Sequence, residues 1–345
     1  MLSKNQILEI RQYLEKAQNP LFFFDNDADG LCSFLLLARY SGKGKGVAIK
    51  SFPDLNKSYT RKLYELNPDY IFILDKPIVS EEFIDEARKL NIPIIWIDHH
   101  ELSQEISEGV NYYNPLNGNK KSSEPVTYLC WKISEKKDDL WIAMVGCIGD
   151  GFFPSFVKDF REKYPEFWKE NITFPFQAVY ETKIGKVVRI LNFALKDRTS
   201  NVVKMIKFLL KTRSPDEILT EEPNNSMLVR FNYINKKYRK LIDSVKNVSK
   251  NKIIYFEYGG EFSLSADISN ELSYRFPGKT IVVVYIKGNK ANISLRGENV
   301  KELTEKAIKG LENATGGGHE YATGAKVGLD DLPKFKERIM RFVGN

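Results

Sequence analysis

Asp98-His99-His100 ends the run Ile94-Ile95-Trp96-Ile97, and three further segments place acids in the same way. Asp25-Asn26-Asp27-Ala28-Asp29-Gly30 follows Leu21-Phe22-Phe23-Phe24, Asp75 follows Ile71-Phe72-Ile73-Leu74, and Asp150 stands between Gly149 and Gly151 after the apolar stretch 141–148. A carboxylate and two imidazoles make poor core residues and good metal ligands. In an extended chain Asp27 and Asp29 point the same way, and Gly30 lets the chain turn sharply into a helix. Adjacent carboxylates left without cations repel one another and take up protons. Five or six carboxylates with one or two imidazoles suit Mn²⁺ or Mg²⁺ better than structural zinc, and imidazole favours Mn²⁺. Two such ions, about 3.5–4 Å apart, would clamp a phosphate and activate water. The chemistry implied is metal-assisted hydrolysis of a phosphoester or phosphoanhydride. Each acid alone has a plainer reading as a helix cap or turn former. The four segments in order, with two of only three histidines in one motif, favour the metal site.

Such residues need a frame that brings them together. Apolar runs at 21–24, 47–52, 71–74 and 94–97 read as strands, alternating with helices near 31–40, 57–67, 81–90, 125–135 and 139–148. That alternation predicts an α/β fold with a parallel sheet, which places ligands beyond the carboxyl ends of its strands. Ser80 before Glu81 and Glu82 reads as a helix start. From about 155 to 250 the strand signal disappears and apolar residues recur at helical spacing, as in Val187, Val188, Ile190, Leu191 and Leu195. Ser214-Pro215-Asp216-Glu217 has the form of a capping box. Residues 236–252 carry Lys236, Lys237, Arg239, Lys240, Lys246, Lys250 and Lys252 against Asp243 alone, either a solvated helix face or a nucleic-acid track. A second, smaller α/β unit follows, with strands expected at 253–256, 280–286 and 291–295 and helices at 267–275, 300–313 and 331–343. Gly316-Gly317-Gly318-His319 reads as a loop between the last two helices. The expected division is 1–155, a helical connector 156–250, and 251–345.

Composition narrows the partners. A chain of 345 residues with 42% hydrophobic and 28% charged residues is long enough for two cores and is neither collagen-like nor disordered. A net charge of +7 favours an anionic partner such as nucleic acid. Residues 1–18 read as a polar helix rather than a signal peptide, and no apolar run is long enough to span a membrane. Cys32, Cys130 and Cys147 lie in apolar segments without C-x-x-C spacing, as expected of reduced core residues in a cytoplasmic protein.

The Asp-x-Asp-Ala-Asp-Gly segment, the lone Asp75, Asp98-His99-His100, Gly149-Asp150 and the later Gly316-Gly317-Gly318-His319 resemble the DHH phosphoesterase superfamily with its C-terminal DHH-associated domain. The first motif is most similar to the RecJ-like nuclease branch, archaeal members included. The resemblance covers about 21–153 and 251–330. It implies a DHH catalytic domain, a substrate-binding DHH-associated domain and an active-site cleft between them. Asp27 would bind one ion and Asp29 the other, with Asp75 bridging and His99 and Asp150 completing the second. His100 would face the substrate phosphate and Asp98 would orient its neighbouring histidine, while Asp25 would ligate or support. Lys76-Pro77 departs from the small residues the family's pattern would place after Asp75. Arg296, Gly316, Gly317, Gly318 and His319 would hold substrate, the arginine by bidentate phosphate contact.

The implied activity is a Mn²⁺- or Mg²⁺-dependent exonuclease on single-stranded DNA or RNA, releasing nucleoside monophosphates with two ions. Residues 155–250 would offer a surface to a replication or DNA-repair partner. A phosphodiesterase for short oligonucleotides (a nanoRNase) or cyclic dinucleotides is the alternative enzyme, although its first motif usually has an earlier histidine where Phe23 and Phe24 stand here. A non-catalytic replication scaffold would have lost ligands, whereas every expected position is filled. A pyrophosphatase fits less well beside a glycine- and arginine-bearing second domain.

Overall fold

Near-continuous apolar runs that bury both faces build the first sheet of this computed structural model, which describes residues 1–51, 54–102, 104–118, 121–220, 226–245 and 252–344. Phe52 of the expected strand 47–52, and Lys246 and Lys250 of the basic run, lie outside the described residues. The chain divides into two compact units, Met1–Phe231 and Asn232–Asn345.

The strands of the first unit are β1 (Leu21–Asp25), β2 (Lys45–Ile49), β3 (Asp54–Leu55), β4 (Ile71–Leu74), β5 (Ile78–Val79), β6 (Ile94–Ile97) and β7 (Val110–Tyr113). Five of them form a parallel sheet in the order β2-β1-β4-β6-β7, and β3 pairs with β5 apart from it. Every residue of β4 and β6 is buried, as the all-apolar runs require of a sheet covered on both sides. One face packs Phe23, Ile73 and Trp96 against Leu63, Phe83 and Ala87. On the other, Phe22 and Phe24 meet Phe34 of the helix Ala28–Ser41, with ring centroids 5.4 and 5.1 Å apart. That helix packs in turn on the helices Val126–Ser134 and Leu140–Gly149. The helices Pro175–Glu181 and Lys183–Leu195 pack on Leu140–Gly149 and extend the same unit.

Register decides what the sheet can do. Phe24 pairs with Leu74, Leu74 with Ile97 and Ile97 with Tyr113. The next residue on each strand, Asp25, Asp75, Asp98 and Asn114, therefore lies in one row along the carboxyl rim. The chain passes from β1 outward to β2 and then back to β4 on the other side, so the rim between β1 and β4 is where such sheets open a crevice.

The second unit holds β8 (Ile253–Gly259), β9 (Thr280–Lys287), β10 (Lys290–Arg296), β11 (Thr315–His319) and β12 (Ala322–Gly328), ordered β11-β12-β10-β9-β8. Only β8 and β9 run parallel. The helix Ser265–Arg275 packs on β9 and β10, while Val300–Ile308 and Leu332–Gly344 share a core with Val282, Val284 and Ile293.

Several expected boundaries move. The glycine segment 316–319 is an edge strand rather than a loop, paired in antiparallel fashion with β12. The helix expected over 300–313 stops at Ile308, ahead of Gly310 in left-handed backbone at φ 68°. The region 57–67 is a 3₁₀ turn, Lys57–Tyr59, followed by the short helix Arg61–Leu66, and the strand expected at 47–52 is Lys45–Ile49. Ser80 caps its helix as expected, its hydroxyl accepting from Phe83 N. No helix among the described residues is long and apolar enough to cross a membrane.

Gly30 is the tightest point between β1 and the following helix. A Cβ there would lie 2.5 Å from Asp25 O and 2.6 Å from Asp25 N. Gly30→Ala is expected to destabilise the protein by about 1–3 kcal/mol, as overpacking does. Urea denaturation measures this, and an unchanged midpoint would contradict it.

Candidate metal centre

Asp75 is the residue on which the rim converges. Its backbone is left-handed at φ 60°, a conformation aspartate tolerates better than most residues, and its amide donates to Ile97 O at 3.0 Å. Ligand atoms of Asp75 lie within 4.8 Å of those of three pairs: Asp25 with Asp27, Asp29 with His99, and Asp98 with His100. His99 Nε2 stands 3.4 Å from Asp75 Oδ1, and His99 Nδ1 stands 3.9 Å from Asp150 Oδ2. The structure thus brings together Asp25, Asp27, Asp29, Asp75, Asp98, His99, His100 and Asp150, all within the first unit.

Each side chain is positioned by local structure. Asp27 is the N-cap of the helix Ala28–Ser41, its carboxylate accepting from Gly30 N at 2.9 Å. Asp29 accepts from Val126 N at 2.9 Å and from Thr127 N at 2.7 Å, at the start of the helix Val126–Ser134. A carboxylate at a helix N-terminus meets both unpaired amides and the favourable end of the dipole. Asp98 is fully buried and accepts from His100 twice, at Nδ1 (2.8 Å) and at the backbone amide (3.1 Å). Asn114, the next residue along the rim, donates to His100 O at 2.8 Å. Asp150 arrives differently, as the C-cap of the helix Leu140–Gly149 rather than from a strand.

Burial and mutual repulsion leave this cluster short of positive charge. Burial, then Asp25 and Asp29, push the Asp27 carboxyl up to about 8. Burial, then Asp29 and Asp27, raise Asp75 well above the carboxylate range. Burial works against a charged His99, yet Asp150, Asp75 and Asp29 outweigh it and raise the imidazole. Among the described residues the buried Asp75 Oδ1 accepts no hydrogen bond. Oxygen-rich, anionic, with imidazole to one side and an oxygen left for a ligand, the donor set fits a hard divalent cation such as Mn²⁺ or Mg²⁺.

Three contacts escaped the sequence. Lys76 is fully buried and donates to Asp25 Oδ1 at 2.8 Å, where only a departure from small residues was legible. The amides of Val126 and Thr127 come from a helix about a hundred residues downstream, beyond any local motif.

The second unit gathers its own residues. Arg296 pairs with Ala322 and Ala322 with His319, so Arg296 and His319 share one row across β10, β12 and β11. The Arg296 guanidinium is fixed by Asn270 Oδ1 at 2.6 Å and Leu295 O at 2.7 Å. Gly318 has φ 139°, and a Cβ there would lie 2.5 Å from Ala322 O; beside Gly317 there is open space instead.

Residues 21–148 match the DHH family N-terminal domain, and residues 250–345 match the DHHA1 domain. No curated protein matches the sequence. Among solved structures, RecJ from Thermus thermophilus in complex with Mn²⁺ is 16% identical, with a TM-score of 0.68 over 99% of this chain. This chain spans only 55% of that one. An exonuclease RecJ bound to manganese is similar at 16% identity and TM-score 0.64, covering 100% of this chain and 96% of its own. The DHH domain of a protein described as a member of a ribosomal-protein family gives 16% and 0.70, over 99% and 90%. At such identities the likeness is one of fold.

Because Asp27 keeps a proton up to about pH 8, an arriving cation must displace it. Mn²⁺ binding should therefore release protons, and apparent affinity should climb as pH rises toward 8. Calorimetry in two buffers of different ionisation enthalpy measures the release; a proton-neutral, pH-independent affinity would contradict it.

Proposed function

The chain, with its DHH-family N-terminal domain and its DHHA1 domain, belongs to the DHH superfamily, and we propose that it is a metal-dependent exonuclease on single-stranded DNA or RNA. The observation that carries this reading is the convergence of the Asp25–Asp27, Asp29–His99 and Asp98–His100 pairs on Asp75, with no expected ligand position lost. Asp25, Asp27, Asp29, Asp75, His99 and Asp150 would hold two divalent ions, Mn²⁺ or Mg²⁺. Held there, such ions would supply a Lewis acid for a phosphoryl oxygen and a lowered pKa for a water.

The chain's own groups do the rest. Asp98 holds the His100 ring through Nδ1, and Nε2 would meet the substrate. A ring N–H held this way would donate to a phosphate oxygen as charge builds in the transition state. Arg296 is preorganised by Asn270 Oδ1 and by the carbonyls of Leu295 and Thr323, so its guanidinium would lose little freedom on meeting a phosphate. His319 adds a donor in the same row, and Gly317, with open space beside it, would let a strand's backbone come close. A net charge of +7 favours a polyanion. Within the basic run, Lys237 is paired with Glu261 and Arg239 with Glu271, so these two support the helix rather than a nucleic-acid track.

Degradation of 5′- and 3′-labelled single strands of graded length with Mn²⁺ tests the reading. Progressive laddering on long strands is expected, with His100→Ala lowering kcat by about 10²–10³-fold while Mn²⁺ still binds. Cleavage confined to the shortest oligonucleotides would replace the exonuclease with an oligonucleotide phosphodiesterase. No hydrolysis with metal bound would overturn catalysis altogether and leave a scaffold.

A further inference from the structure

Lys76 follows the rim residue Asp75 and is fully buried. Its ammonium donates to Asp25 Oδ1 at 2.8 Å and to Ser51 O at 2.9 Å, and Trp96 Nε1 donates to Lys76 O at 2.8 Å. The left-handed backbone of Asp75 turns the chain here, so backbone and side chain are both fixed. A lysine can be held in such a place only when it is paired. Asp25, Asp27 and Asp75 together offer ligand atoms within 4.8 Å of one another, and one of these three acids already carries the ammonium. The Asp29 carboxylate of the neighbouring set is held instead by the neutral amides of Val126 and Thr127.

We infer that Lys76 makes the two cation positions unequal: the position at Asp25, Asp27 and Asp75 binds its ion weakly, and the one at Asp29, Asp75 and His99 binds tightly. The reason is electrostatic. A fixed positive charge in contact with Asp25 takes up part of its negative charge and repels a divalent ion beside it, and both effects are stronger in a partly buried site than in open water. Lys76 is a positioning residue that sets metal occupancy, so that limiting metal fills one position and a higher concentration the second. The inference rests on the two-ion reading of the site.

Titration of the full chain with Mn²⁺, followed by the electron paramagnetic resonance signal of free Mn²⁺, tests it without reference to activity. Two classes of site, separated by about tenfold or more, are expected from the charge difference. In Lys76→Met, which keeps length and removes charge, the weak class should tighten by about tenfold with the tight class unchanged. In Asp25→Asn the weak class should disappear and the tight class remain, a result that holds even if Lys76→Met fails to fold. Two equal classes in the native protein, or a weak class that loosens in Lys76→Met, would overturn the inference. No bound Mn²⁺ in the native protein would instead overturn the metal site itself.

Discussion

Buried carboxylates repel one another, and in this protein the repulsion is built in by the register of a parallel sheet. Asp25, Asp75 and Asp98 occupy one row because Phe24, Leu74 and Ile97 are paired across β1, β4 and β6. Asp27 and Asp29 join them from the first turn of the next helix. A site so placed is held together by what surrounds it: helix N-terminal amides on Asp27 and Asp29, an ammonium on Asp25, and imidazoles at Asp75 and Asp98. None of these supplies two full positive charges. Burial and neighbouring acids raise Asp27 and Asp75, so these carboxyls hold protons that ease the repulsion. Divalent cations at these positions would remove the repulsion.

The rest of the first unit keeps that row in place. Aromatic and branched side chains bury both faces of the sheet, so a strand cannot slip without exposing them. Gly30 brings the helix start against the backbone of Asp25, and Trp96 ties its indole to the carbonyl of Lys76. Packing and electrostatics thus meet at the same few residues. The second unit repeats the theme with a different chemistry, a guanidinium and an imidazole set in one row by antiparallel pairing.

What could be read in the chain beforehand follows from physical causes. Strands 21–24, 71–74 and 94–97 were legible because both faces are buried and every residue is apolar. Val110–Tyr113 was not expected: it is an edge strand, half-buried and interrupted by Asn111. Thr315–His319 has three glycines and no strand propensity, and it is extended because β12 pairs with it. The acids and histidines of the site were legible because each ends an apolar run. The partners of Asp25 and Asp29 were not, since they lie 51 and 97 positions away and depend on the finished fold.

Anomalous diffraction from crystals grown with Mn²⁺ tests the central claim most directly. The account predicts a manganese peak in contact with Asp75, shared with Asp29 and His99, and a second peak beside Asp27 at higher metal concentration. Saturating Mn²⁺ with no anomalous density at Asp75 would contradict it, because the acids would then be held together by protons and hydrogen bonds alone.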